Sequence, residues 1–165
     1  MRHYYFDTSA IVKYYHDEPG SEWVRQIVRA LEPAEPRRAN SIYLAELTLV
    51  EASAAFSILE RTKQIRKVVR DTMYRGFIRD SANDYYTIHV RRDDVDWASE
   101  LTQKYPLKGY DAVQLAVALY VNDLLKANDL SLTFIAGDDV LLQAARAEGM
   151  ATENPFDHSE LDLAR

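Results

Sequence analysis

The sequence contains no cysteine, and its 165 residues include only five glycines and five prolines. Without cysteine there is no disulfide framework, no thiolate zinc site and no thiol nucleophile. The absence suits a reducing compartment. The glycines fall at 20, 76, 109, 137 and 149. They form no G-x-G-x-x-G dinucleotide turn, no phosphate-binding P-loop and no G-x-S-x-G nucleophile elbow. The histidines, at 3, 16, 89 and 158, lack the H-E-x-x-H zinc spacing. No apolar run approaches the roughly 18–20 residues of a membrane span. The opening Met1-Arg2-His3-Tyr4-Tyr5-Phe6-Asp7 is too short and polar for a signal-peptide core. A soluble cytoplasmic protein with no membrane partner is expected. There is no internal repeat, low-complexity tract or long linker, so residues 1–165 are read as one domain.

What is present is a chain that is 47% hydrophobic, enough to fill one core. Acids outnumber bases, 26 to 20, for a formal charge of −6. That balance weighs against a nucleic-acid partner. The charge is unevenly spread, however. Between Arg61 and Arg92 nine bases face three acids, a local +6, which leaves −12 for the remainder. Lys63, Arg66, Lys67 and Arg70 recur at i, i+3, i+4, i+7. On a helix they form one basic stripe able to follow a phosphate backbone. A solvated helix face paired with its neighbours is the plainer alternative.

Short apolar runs alternate with helical periodicity. Strands are expected at 3–6, 40–43, 87–90 and 133–136, with a last edge strand at 150–152. Helices are expected at 8–17, 21–31, 44–59, 61–84, 95–105, 110–125 and from Asp138-Asp139 to Gly149. Pro33 and Pro36 mark a loop after the second helix. Strands alternating with helices predict an α/β fold, a parallel sheet covered on both faces.

With glycine motifs, cysteine and paired histidines excluded, the remaining candidates for chemistry are carboxylates. Asp7 ends the first strand, and ligands of parallel α/β sheets bind outside the carboxyl ends of strands. Asp138 repeats that placement after Phe134-Ile135-Ala136-Gly137, with Asp139 beside it. Asp111 opens the most apolar helix. For all three, helix capping is the competing reading. Glu51 lies within an apolar, Ala-rich helix, where a charge is costly unless paired, protonated or bound to metal. Glu46, five residues earlier on the expected helix, would point roughly 140° away. Clustered carboxylates repel unless a cation joins them. Mg²⁺ or Mn²⁺ is the natural one, hard and oxygen-seeking.

Four segments resemble the motifs of PIN-domain nucleases, especially VapC-type toxins of toxin–antitoxin pairs. They are Tyr5-Phe6-Asp7-Thr8-Ser9-Ala10-Ile11-Val12-Lys13, Thr48-Leu49-Val50-Glu51-Ala52-Ser53-Ala54-Ala55, Tyr110-Asp111-Ala112-Val113-Gln114-Leu115-Ala116 and Phe134-Ile135-Ala136-Gly137-Asp138-Asp139-Val140-Leu141-Leu142-Gln143-Ala144-Ala145. Glu148-Gly149-Met150-Ala151-Thr152-Glu153-Asn154-Pro155 is similar to the family's tail. The resemblance implies a three-layer α/β/α sandwich with a central parallel sheet. It implies Asp7, Glu51, Asp111 and Asp138 as catalytic and metal-binding residues, with Asp7 and Asp111 the principal ligands and Asp138 preferred to Asp139. Ser9 matches a small hydroxyl residue that orients Asp7 or a metal water. Arg66 and Lys67 are candidate substrate contacts. Further implications are Mg²⁺ (or Mn²⁺) as cofactor, an RNA substrate cut to 5′-phosphate and 3′-hydroxyl ends, a cognate antitoxin and a homodimer. Residues 61–86 are longer than in the smallest members.

A haloacid-dehalogenase-type phosphatase needs a second Asp two residues after the first, where this chain has Ser9. A receiver domain needs an acidic pair near the first strand and a Lys after the last, and neither stands out. An RNA-processing or DNA-directed PIN nuclease, or a non-catalytic nucleic-acid-binding PIN module, remains open.

Overall fold

The computed structural model describes residues 1–31 and 38–164. The loop expected at Pro33 and Pro36 lies outside the described residues. The chain alternates β1 (Arg2–Phe6), α1 (Thr8–Tyr15), α2 (Ser21–Arg29), β2 (Asn40–Ala45), α3 (Leu47–Arg61) and α4 (Lys67–Asn83). It continues through β3 (Tyr86–Ile88), α5 (Arg92–Lys104), α6 (Gly109–Lys126), β4 (Leu132–Ile135), α7 (Asp139–Ala147) and β5 (Ala151–Glu153). A C-terminal segment of 3₁₀ turns, Pro155–Ala164, breaks regular geometry at His158.

The five strands form one parallel sheet in the order β3-β2-β1-β4-β5. Side chains alternate across it, as a period of two requires. Tyr5, Ala45 and Phe134 face α5, α6 and α7, against Leu101, Leu115 and Leu142. Tyr4, Phe6, Ile42, Leu44 and Ile135 face the other way, against Ile11, Val28, Phe56 and Phe77 from α1 to α4. Both faces are covered, and the arrangement is the expected α/β/α sandwich. Fully burying each of the leucine, isoleucine, valine and phenylalanine side chains contributes about 1.5–3 kcal/mol.

Two expectations need correction. The helix predicted from Leu44 starts at Leu47, because Leu44 and Ala45 extend β2 by pairing with Thr87 and Ile88 of β3. Glu46 therefore stands at the strand–helix junction, accepting hydrogen bonds from the Val90 amide (2.8 Å) and His89 Nδ1 (2.7 Å). The basic stripe is also broken. α3 ends at Arg61, Lys63 sits in a left-handed turn (φ 61°), and Arg66 is extended ahead of α4. Only Lys67 and Arg70 of the four lie on α4, so the 63–70 spacing does not describe a single helical face.

Candidate active site

The strand order fixes where a ligand can approach. From β1 the chain moves outward to β2 and β3, then returns to the other side of β1 for β4 and β5. β1 and β4 therefore flank the point where the order reverses, and the crevice beyond their carboxyl ends is the usual binding place in such sheets. Asp7 directly follows β1, and Gly137-Asp138 comes shortly after β4. The ladder continues one step past the strand, with the Asp7 amide donating to Ile135 O at 2.9 Å.

Asp7 and Asp138 cap helices as well. Asp7 Oδ2 accepts from the Ser9 amide (2.9 Å) and the Ser9 hydroxyl (2.6 Å). Asp138 Oδ1 accepts from the Val140 and Leu141 amides (2.8 and 3.0 Å). Each cap uses one carboxylate oxygen. Among the described residues the other oxygen, Asp7 Oδ1 or Asp138 Oδ2, receives no hydrogen bond. Capping and cation binding are thus compatible here. Ser9 ties the two loops together, since its Oγ also accepts from the Gly137 amide at 2.8 Å.

Asp111 stands in the first turn of α6, whose N-cap is Lys108. Glu51 lies on α3, held through Oε2 by the Thr8 hydroxyl (2.6 Å) and Gln114 Nε2 (2.9 Å). Asp139, by contrast, is exposed and accepts from Asn154 Nδ2 at 3.0 Å.

Electrostatics links the four carboxylates. Burial pushes the Asp7 carboxyl up to about 6, against the two Ser9 hydrogen bonds, and the charges of Glu51 and Asp111 push the same way. Asp111 is also raised, first by burial and then by Asp138 and Glu51, while Lys108 opposes. Asp7 is only 6% exposed. Asp7 and Asp111 are each raised in part by neighbouring acids, and a shared cation would offset that repulsion.

Among the described residues, no three or more of these side chains close into a ready-made metal cage. Mg²⁺ does not need one. It retains waters and takes one or two carboxylates plus substrate phosphates. The donor set, carboxylate oxygens without histidine or cysteine, fits that hard ion and also Mn²⁺.

Sequence reasoning missed Thr8 and Gln114 as the partners of Glu51, while Tyr5 and Thr48 hydrogen-bond the Gln114 amide and, among the described residues, no carboxylate. The signal for Gln114 was present: a polar side chain inside the most apolar helix, one turn from Asp111. Its partners come from α1, α3 and β1, which only folding brings together.

The PIN domain model of protein families matches residues 4–137. The chain belongs to the PIN domain family. The match ends one residue before Asp138, so the case for that residue rests on its position after β4 and its charge coupling to Asp111. No curated protein matches the sequence. Several solved PIN-like structures share the fold. VapC20 of Mycobacterium tuberculosis, described as a sarcin-ricin loop cleaving toxin, is 16% identical with a TM-score of 0.57, covering 90% of this chain and 96% of its own. FitAcB of Neisseria gonorrhoeae is 15% identical (TM-score 0.57), covering 93% and 98%. VapBC2 of Rickettsia felis, bound to a DNA fragment from its promoter, is 14% identical (TM-score 0.56), covering 92% and 98%. At such identities the likeness establishes the fold of this PIN domain.

Proposed function

We propose that this PIN domain is a metal-dependent endoribonuclease and the toxin of a type II toxin–antitoxin pair. One observation carries the reading: at the β1/β4 switch point Asp7 and Asp138 follow β1 and β4, each with one carboxylate oxygen that receives no hydrogen bond among the described residues, and the charges of Glu51 and Asp111 act on Asp7. Family membership and the toxins among its structural neighbours support it. Asp7 and Asp111 would hold Mg²⁺ or Mn²⁺, with Glu51 and Asp138 completing the acidic set. When bound, such an ion supplies Lewis-acid stabilisation of the phosphate and activation of the attacking water. The protein's own work is positioning. Ser9 fixes one oxygen of Asp7 and leaves the other for the site, while the N-cap of α7 does the same for Asp138. Arg66 and Lys67 would attract the RNA backbone. A cytoplasmic location, a homodimer and a small antitoxin encoded beside the gene complete the proposal.

The deciding experiment incubates purified protein with cellular RNA in Mg²⁺, Mn²⁺ or EDTA and maps the cut ends. Cleavage should need the metal, leave 5′-phosphates and fall more than about 100-fold in Asp111→Asn, beyond the usual cost of losing an outer partner. Cleavage by Asp111→Asn at the wild-type rate would overturn the assignment. Cleavage confined to DNA would redirect it to a DNA-directed enzyme.

A further inference from the structure

We infer that Gln114 is the positioning residue for Glu51, its buried amide holding that carboxylate in the orientation that serves a cation. The inference rests on the divalent-metal reading of the site. Gln114 is fully buried on α6, three residues after Asp111, so both share one helix face. Burying an amide is costly unless it is hydrogen-bonded, and an apolar residue would fill this position more cheaply. Its bonds are therefore the reason to look for a role.

Gln114 Oε1 accepts from the Tyr5 hydroxyl at 2.8 Å. Its Nε2 lies 2.9 Å from Glu51 Oε2, 2.9 Å from Thr48 Oγ1 and 3.1 Å from Thr8 Oγ1. The amide can face only one way. An ionised carboxylate accepts and cannot donate, so the flipped amide would set a carbonyl against Glu51. Two N–H groups thus meet three acceptors, and Thr8, the most distant, instead donates its own hydroxyl to the same Glu51 oxygen at 2.6 Å. Glu51 Oε2 receives two donors, and among the described residues Oε1 receives none. One oxygen is anchored and the other is available. The rotamer freedom that a half-buried Glu would otherwise lose on capturing an ion is lost during folding instead.

The same bonds could merely join α6 to α1 and α3, and the test separates these roles. Mn²⁺ affinity, RNA cleavage and thermal melting are measured for wild type, Gln114→Met, Thr8→Val and Thr48→Val. Gln114→Met and Thr8→Val each remove a donor from Glu51 and should weaken Mn²⁺ binding and lower kcat by about 10–100-fold, with little change in KM. Thr48→Val removes a bond to Gln114 that does not touch Glu51, and should leave Mn²⁺ affinity near wild type. Should Gln114→Met unfold, Tyr5→Phe/Gln114→Met removes the stranded hydroxyl and is read in its place. Unchanged Mn²⁺ affinity in Gln114→Met, or an equal loss in Thr48→Val, would overturn the inference. Wild type that binds Mn²⁺ yet cleaves no RNA would overturn the ribonuclease reading alone, with Gln114 still judged by Mn²⁺ affinity. Wild type that binds no Mn²⁺ would overturn both.

Discussion

Asp7 shows how one side chain serves structure and chemistry together. Its backbone extends the β1–β4 ladder, one carboxylate oxygen caps α1, and burial among other acids raises its proton affinity. The consequence for stability has a definite sign. The folded protein binds this proton more tightly than the unfolded chain, with the carboxyl moving from 3.8 to about 6. Stability from Asp7 is therefore present at low pH and lost as pH rises from about 4 to 6. A displacement of that size corresponds to roughly 3 kcal/mol. Without metal, Asp7→Asn should flatten the decline in melting temperature between pH 5 and 7.5 and melt higher than wild type at pH 7.5. Added Mg²⁺ should raise the wild-type melting temperature more at pH 7.5 than at pH 5, and should do little for the variant. Identical pH profiles for the two proteins would exclude Asp7 as the titrating group. Asp7 and Asp138 were legible in the sequence because each stands where a strand ends. The partner of Gln114 was not, because nothing local reveals which carboxylate its amide meets.

At the scale of elements, α2 shows a cap supplied from far away. Its N-cap is Gly20 (φ 85°), which has no side chain to offer the first amides. Asp162 takes that role, accepting from the Gly20 amide at 2.6 Å and the Glu22 amide at 2.9 Å. Gly20 is required for a second reason: a Cβ there would lie 2.2 Å from Pro155 O. The C-terminal segment is fastened along the same side by Trp23 stacking on His158 (4.2 Å between centroids) and by Lys13 Nζ over Phe156 (3.8 Å). Asp162→Ala should destabilise the protein by about 1 kcal/mol in denaturant melts, the usual cost of losing a cap. Asp162→Asn should recover only part of that loss, since its one amide oxygen replaces a single acceptor and its amide nitrogen faces the other backbone N–H. The boundary between α3 and α4 was hidden for a related reason. Residues 61–84 carry helical periodicity on both sides of the turn at Lys63, and propensity alone does not say where two helices part company.

For the whole molecule, the net charge of −6 conceals a division that folding sharpens. Four of the nine bases between Arg61 and Arg92 are engaged nearby: Arg70 with Asp71, Arg79 with Asp80, Arg91 with Asp94 and Arg92 with Asp96. Among the described residues, Arg66 and Lys67 form no ion pair and both are exposed. They remain the better candidates for binding phosphate, although not as part of one helical stripe. Arg66→Glu/Lys67→Glu should weaken RNA binding and lower the salt slope by about one for each phosphate that is no longer neutralised. Binding titrations at several salt concentrations check both effects, and unchanged affinity and slope would remove the pair from substrate capture. The sequence by itself determined the alternation of strands and helices, the two-sided sheet and the strand-end acids, because hydrophobic period and strand termini are local properties. Only the tertiary structure decided that β1 and β4 are neighbours, that the charges of Glu51 and Asp111 act on Asp7 and that of Asp138 on Asp111, and that Gln114 reaches Glu51. Those relations depend on which strands pair and which helix faces meet, and residues far apart in the sequence acquire them only when the core closes.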